Sequence, residues 1–266
     1  MSKELLRINK RKLTESKMHA LYEDDNNVLL IHYSCESFYN IKDGRTPRIT
    51  SIAIRNLGNS QTVSFSIHKV AEKQKVNLNQ IEEKYDELEK KMLKQYFDYI
   101  NKKENFIFIH WNMRDINYGF NAIEHRYEVL GGKPIIILDE KKFDLASEII
   151  TLYGVKYINH GDNGRLLNLL TLNNITNKDI LNGKDEANAF KNQEYIKLHQ
   201  STLRKVDSIS NVFKRLVEGT LKTDSSWFMR YGYHPKILIE LIKEHWIVGL
   251  ISLGVTFYGL FKMFSE

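Results

Sequence analysis

The chain has 266 residues, with 39 Lys and Arg against 33 Asp and Glu, so its formal net charge is +6. Its 42% hydrophobic and 11% aromatic content is typical of a folded globular protein and excludes a disordered chain. The single cysteine, Cys35, excludes an internal disulfide framework and a cysteine-based zinc site. The positive charge is compatible with nucleic acid or with anionic lipid as a partner, and it does not separate the two.

The first segment, residues 1–26, is predicted to be a basic N-terminal arm. Its first 17 residues contain two acids, Glu4 and Glu15, against the cations Lys3, Arg7, Lys10, Arg11, Lys12 and Lys17. A solvated arm or helix is one interpretation of this pattern, and a phosphate-binding arm is the other. The segment lacks the apolar stretch of a secretory signal peptide, so no such signal is expected.

Three strands are predicted next. Residues 27–34 form an apolar, β-branched run that is typical of a buried strand. Residues 48–57 and 62–68 alternate between apolar and polar side chains, and the turn residues 58–60 separate them. These two strands are therefore expected to pair as a hairpin, and all three are expected to form a meander.

Helices and strands alternate in the following part of the chain. Helical spacing of apolar residues predicts long helices, and short apolar runs predict buried strands. The predicted helices are 79–102, 117–130, 143–153, 166–172 and 192–218, with strands at 105–110 and 134–139 and a long loop at 173–192. Three antiparallel strands followed by β-α-β crossovers predict an α/β protein with a mixed sheet of the ribonuclease H-like type.

The C-terminal segment is predicted to be a transmembrane helix. Trp246 to Phe261 is an uncharged, largely apolar run, and residues 235–266 are expected to form one amphipathic and then membrane-spanning helix after a linker at 223–234. Lys236 and Lys243 precede the run, so a single-pass anchor at the cytoplasmic face of the inner membrane is expected. The alternative is a buried C-terminal helix of a soluble domain.

Three motifs carry a resemblance to a known family. Ser34-Cys35-Glu36 closes the first strand, His110 to Asp115 leads into a helix, and His199 and Asp207 lie in the last long helix. With the order of elements, these motifs resemble the DEDD superfamily of proofreading-type 3′–5′ exonucleases over about residues 27–218, within a predicted exonuclease-like domain at 27–222. Ser34 stands where that family has its first Asp, Trp111 replaces an Asn, and the His199–Asp207 spacing is longer than the family's.

The resemblance implies metal-dependent phosphodiester hydrolysis. Glu36, Asp115 and Asp207 would hold two Mg²⁺ or Mn²⁺ ions, which activate water and stabilise the leaving oxygen. His199 would be the general base, and Trp111 and Arg114 would contact nucleic acid.

Each of these residues also has a structural interpretation. Glu36 is able to pair with Arg45 or Arg48, and Asp115 is able to cap the helix predicted at Asn117. Asp207 fits a solvated helix position, and His199 fits a plain polar one.

Three functions follow from these alternatives. The first is a membrane-anchored exonuclease-like protein that acts on or binds nucleic acid in the cytosol, in bacterial antiviral defence. The second is a catalytically inactive sensor or scaffold that binds nucleic acid or a nucleotide. Its output would be membrane disruption or partner recruitment through the C-terminal helix. The third is a structural anchor that acts with a partner protein, and a homo-oligomer is a further possibility.

Overall fold

The computed structural model describes residues 3–37, 46–115, 117–226 and 246–265. The strands are β1 (Val28–Cys35), β2 (Ile49–Asn56), β3 (Thr62–Ser66), β4 (Ile107–His110) and β5 (Lys142–Asp144). The helices are α1 (Lys3–Glu23), α2 (Ile67–Lys73), α3 (Tyr85–Ile100), α4 (Phe120–Val129), α5 (Leu145–Tyr153), α6 (Gly164–Leu172), α7 (Gly183–Lys191), α8 (Tyr195–Val217) and α9 (Trp246–Ser265).

The five strands form one mixed sheet in the order β3-β2-β1-β4-β5. β1 and β2 are antiparallel, as are β2 and β3, whereas β1 and β4 are parallel, as are β4 and β5. The predicted α/β class with a mixed sheet is therefore confirmed.

Helices cover both faces of the sheet. Side chains along a strand alternate between the two faces, so neighbouring residues of β1 belong to different cores. On β1, Leu29 and Ile31 belong to a core that also contains Leu88 and Met92 of α3. Leu30, between them, belongs to a second core, which contains residues of α5, α6 and α8. β1 is accordingly apolar from Val28 to Ile31 and buried up to Ser34, as expected for a central strand that is covered on both faces.

The basic N-terminal segment forms a helix that packs on the domain. α1 contacts α5 and α8, and it buries Met18 and Thr14 at 2% and 3% exposure. The Thr14 hydroxyl donates a hydrogen bond to Glu148 Oε2 at 2.5 Å. The cationic side chains Lys10, Lys12 and Lys17 of α1 are exposed. The segment is therefore a packed helix with an exposed cationic face.

Two predicted elements are wrong. Residues 134–139 are not a strand, and the edge strand is the shorter segment Lys142–Asp144. Of the apolar run, Ile137 is 6% exposed and Ile135 packs against the core, whereas Ile136 and Leu138 are each 58% exposed, so the run is buried on one side only. The predicted loop at 173–192 contains α7, which begins where the Asn182 side chain accepts a hydrogen bond from the Asp185 N–H.

The predicted transmembrane anchor is also wrong. Among the described residues, no helix combines the length and apolar character that crossing a membrane requires. α9 does form, but the uncharged run ends at Phe261, before Lys262, short of the ~20 apolar residues of a spanning helix. The expected membrane localisation and the membrane partner lose their basis with it. The predicted amphipathic segment before Trp246 and most of the predicted linker lie outside the described residues.

Candidate functional site

A cavity opens where β1 and β4 end. These strands are parallel neighbours, but the chain continues from β1 to β2 on one side and from β4 to β5 on the other. In open α/β sheets, ligands bind in the crevice at the carboxyl ends of strands where the connections diverge in this way. The cavity has a volume of about 690 Å³, which is within the usual range for small-molecule sites.

Both strand ends and four helices supply the cavity wall. Cys35 and Glu36 follow β1, Trp111 and Asn112 follow β4, and Lys205 comes from α8. The remaining wall includes Ala146 and Ile150 of α5, Asn163, Gly164 and Arg165 at the start of α6, and Asn182, Gly183 and Lys184 at the start of α7. The N-termini of two helices therefore border one cavity. Such termini favour anions, because their first backbone N–H groups have no partner within the helix.

Cations and acids both line the cavity, and they differ in their pairing. The cations are Arg114, Arg165, Lys184 and Lys205, and the acids are Glu36, Asp162 and Glu186. Lys205 Nζ lies 2.7 Å from Glu186 Oε1, and Arg114 Nη1 lies 3.1 Å from Asp144 Oδ2. Arg165 and Lys184 form no ion pair with any residue that the structure describes. These two cations are thus the ones available to an anionic ligand.

Two buried polar side chains in the cavity wall have no hydrogen-bond partner among the described residues. His32 is 5% exposed and neither of its ring nitrogens is bonded, and the hydroxyl of Tyr157, which is fully buried, is also unbonded. Burial, followed by the nearby charge of Lys205, lowers the pKa of His32 well below its usual value. Burial raises the pKa of Tyr157 to about 12. Because buried polar groups are normally paired, the neutral imidazole and the phenol in the cavity wall are groups that a hydrogen-bonding ligand would satisfy.

Three of the predicted site residues line this cavity: Glu36, Trp111 and Arg114. The backbone N–H of Glu36 donates to the Arg48 carbonyl at 2.8 Å, and Glu36 Oε2 accepts from the Arg48 N–H at 3.5 Å. The guanidinium of Arg48 pairs instead with Glu82, at 2.5 Å. Glu36 therefore contacts the backbone of Arg48 rather than its charge. Arg45, its other predicted partner, lies outside the described residues.

The other three predicted residues lie elsewhere. Asp115 Oδ1 accepts from the Asn117 N–H at 2.8 Å, but α4 begins only at Phe120, so this is a local turn and not the predicted helix cap. Asp207 Oδ1 lies 3.0 Å from Arg55 Nη1 of β2. His199 is 4% exposed, and its ring centroid lies 5.1 Å from that of His68. None of these three lines the cavity.

The carboxylates implied as ligands of two metal ions, Glu36, Asp115 and Asp207, do not share one cavity. The described residues include no group of three or more His, Cys, Asp or Glu side chains that could hold a metal ion. Ser34, at the position of the family's first Asp, is 1% exposed and its hydroxyl has no partner among the described residues. Lys205 lines the cavity, and its ammonium group would repel a metal cation beside it. These residues do not fit two Mg²⁺ or Mn²⁺ ions, and no reaction step follows from such ions here.

Several cavity residues were missed from the sequence. They are His32, Tyr157, Arg165, Lys184, Glu186 and Lys205. The sequence pattern does indicate that Lys205 faces inward, because it lies one helical turn from the buried residues Thr202 and Ile209 on the apolar face of α8. The others come from segments that are distant in sequence, and no local pattern indicates that they meet.

The chain matches no protein-family model and no curated protein.

Proposed function

We propose that the protein binds a nucleotide unit in this cavity, as a free nucleotide or as the end of a nucleic-acid strand, without two-metal hydrolysis. The observation that carries the proposal is the combination in one cavity of unpaired cations, two helix N-termini and unbonded buried polar groups. A nucleotide has a phosphate for the first two features and a hydrogen-bonding base for the third. The proposal corresponds to the catalytically inactive alternative expected from the sequence.

The phosphate is assigned to the side of the cavity formed by α6 and α7. Arg165 and Lys184 lie in the first turns of these two helices, next to Gly164 and Gly183. A β-carbon on either glycine would meet no other atom within 4 Å, so the backbone is open to a ligand at both places. Guanidinium and ammonium groups beside exposed backbone N–H groups are a common phosphate-binding arrangement in proteins.

The base is assigned to the opposite side, at the ends of β1 and β4. The half-buried Trp111 offers a face on which a base can stack, which contributes about 1–3 kcal/mol per base in nucleic-acid complexes. His32 of β1 is able to bond its polar edge, and this would satisfy ring nitrogens that are otherwise buried without partners. The aromatic wall favours a nucleotide over a simple phosphate ion.

Hydrolysis of the exonuclease type is not part of the proposal. It would require Asp115 and Asp207 to share cations with Glu36, but Asp207 is paired with Arg55 and Asp115 is bonded within its own turn. His199, the expected base, is buried beside His68 and away from the cavity. Binding alone needs none of these three residues.

A matched pair of variants on α7 tests the phosphate assignment. Lys184 lines the cavity, whereas Lys191, at the other end of the same helix, does not. Calorimetric titration of the full chain with nucleoside 5′-monophosphates is expected to show about tenfold weaker binding for Lys184→Ala, the equivalent of one charge-assisted hydrogen bond. Lys191→Ala is expected to bind as the wild type does. Equal losses in both variants, or no binding of any nucleotide by the wild type, would refute the proposal.

A further inference from the structure

A second, smaller cavity lies between the basic helix α1 and α5. It has a volume of about 260 Å³. Its lining from α1 is Arg7, Ile8, Lys10 and Arg11, and its lining from α5 and the following turn is Ile150, Thr151, Leu152 and Gly154. This volume is below the usual range for small-molecule pockets, so the cavity suits part of a ligand rather than a whole nucleotide.

The second cavity adjoins the first across α5. Ile150 lines both cavities, Ala146 lines only the first, and Gly154 lines only the second. Along a helix, Ala146 and Gly154 are about 12 Å apart at the usual rise per residue. A ligand that extends out of the first cavity over Ile150 would therefore reach the second within a short distance.

The charge of the second cavity has one sign. Three of its lining residues are cationic and none is acidic. Arg11 Nε lies 3.1 Å from Glu15 Oε1, and Arg7 also has an interaction partner, so Lys10 is the lining cation on which ligand binding would depend. Lys10 is exposed and forms no ion pair with a residue that the structure describes. A cationic recess of this kind is complementary to a phosphate group in a flexible chain.

We infer that the ligand is a single-stranded nucleic acid several nucleotides long. Its terminal nucleotide enters the first cavity, and its backbone crosses α5 and places a phosphate against α1. This inference rests on the proposed function, since it takes the first cavity as the site of the terminal nucleotide. A single strand is required because the terminal base must be unpaired to enter the wall formed by Trp111 and His32.

Ligand length separates this inference from the function on which it rests. The full chain is titrated with a mononucleotide and with single-stranded oligonucleotides of two to eight residues, at several salt concentrations. Affinity is expected to rise at least tenfold between the mononucleotide and the longer strands. The dependence of log affinity on log salt is expected to steepen by about 0.7 for each additional phosphate that the protein binds.

Two lysines of α1 provide the matched variants. Lys10 lines the second cavity, whereas Lys12 is also exposed and does not line it. Lys10→Ala is expected to weaken oligonucleotide binding about three- to tenfold and to leave mononucleotide binding unchanged, while Lys12→Ala changes neither. Equal affinity for all lengths, or equal losses in the two variants, would overturn the inference while mononucleotide binding stands. Absence of mononucleotide binding would refute the proposed function itself.

Discussion

Replacing Arg126 by leucine is expected to lower the free energy of unfolding by about 3–5 kcal/mol. Glu89 of α3 has no exposed surface, and its carboxylate accepts from Arg126 Nε at 3.0 Å, from Arg126 Nη2 at 2.6 Å and from the Ile49 N–H at 2.6 Å. Burial raises the pKa of Glu89 to about 7, against the opposing effect of Arg126. Without Arg126, this carboxyl group stays buried and loses its charged partner.

Arg204 provides a surface control for this substitution. It lies on α8 and is exposed, so Arg204→Leu is expected to change stability by less than about 0.5 kcal/mol. Urea denaturation of both variants gives the comparison. An Arg126→Leu protein within about 1 kcal/mol of the wild type would mean that the buried pair contributes little to stability. The same pair supports the wall of the first cavity. Glu89 accepts from Ile49 at the start of β2, and the preceding residue, Arg48, contacts Glu36 through its backbone.

Acidification from pH 7 to pH 5 is expected to cost about 4 kcal/mol of stability through two buried histidines, and protonation of Glu89, whose pKa is raised, is expected to restore about 2 kcal/mol of it. Burial lowers the pKa of His110 to about 4 and that of His199 to about 3. The His110 geometry agrees, because its Nδ1 accepts a hydrogen bond from the Met113 N–H and so carries no proton. Below an unfolded-state pKa of about 6.5, the unfolded chain binds protons that the folded chain does not. The stability that these neutral histidines contribute is therefore fully present above about pH 6.5, and it is lost as the pH falls toward 4 for His110 and 3 for His199.

His199→Gln removes one of these buried groups, and His125→Gln removes an exposed one. Denaturation curves at pH 7 and pH 5 are expected to show a loss about 2 kcal/mol smaller in the His199 variant than in the wild type. The His125 variant is expected to lose as much as the wild type does. A His199 variant with the full acid-dependent loss would show that folding does not lower the pKa of this histidine.

The sequence predicts those elements of the fold whose burial follows a regular pattern. β1 is apolar on both faces and α8 has a continuous apolar face, so both were predicted close to their observed bounds. The run at 134–139 is as apolar as a buried strand, but its location at the surface depends on tertiary packing. α7 buries only Ala189 completely, so the apolar spacing that would reveal it is almost absent.

The candidate site was predictable only in part, for a similar reason. Glu36 and Trp111 follow apolar strands directly, and parallel strands bring their carboxyl ends together, so their presence at one cavity follows from topology. Lys184 and Arg165 join them from helices whose packing no local pattern specifies. Asp207 lies on the predicted helix, but α8 is rotated so that Lys205, two residues earlier, faces the cavity and Asp207 faces Arg55.

Metal dependence is the most direct test of nucleotide binding without two-metal hydrolysis. The full chain is titrated with a nucleoside 5′-monophosphate and with a short single-stranded oligonucleotide, once in EDTA and once in Mg²⁺, and the oligonucleotide is recovered and its length measured. The predicted result is nucleotide binding of equal affinity in both conditions, with the oligonucleotide intact. Binding that requires Mg²⁺, together with shortening of the oligonucleotide that Asp115→Ala abolishes, would contradict it.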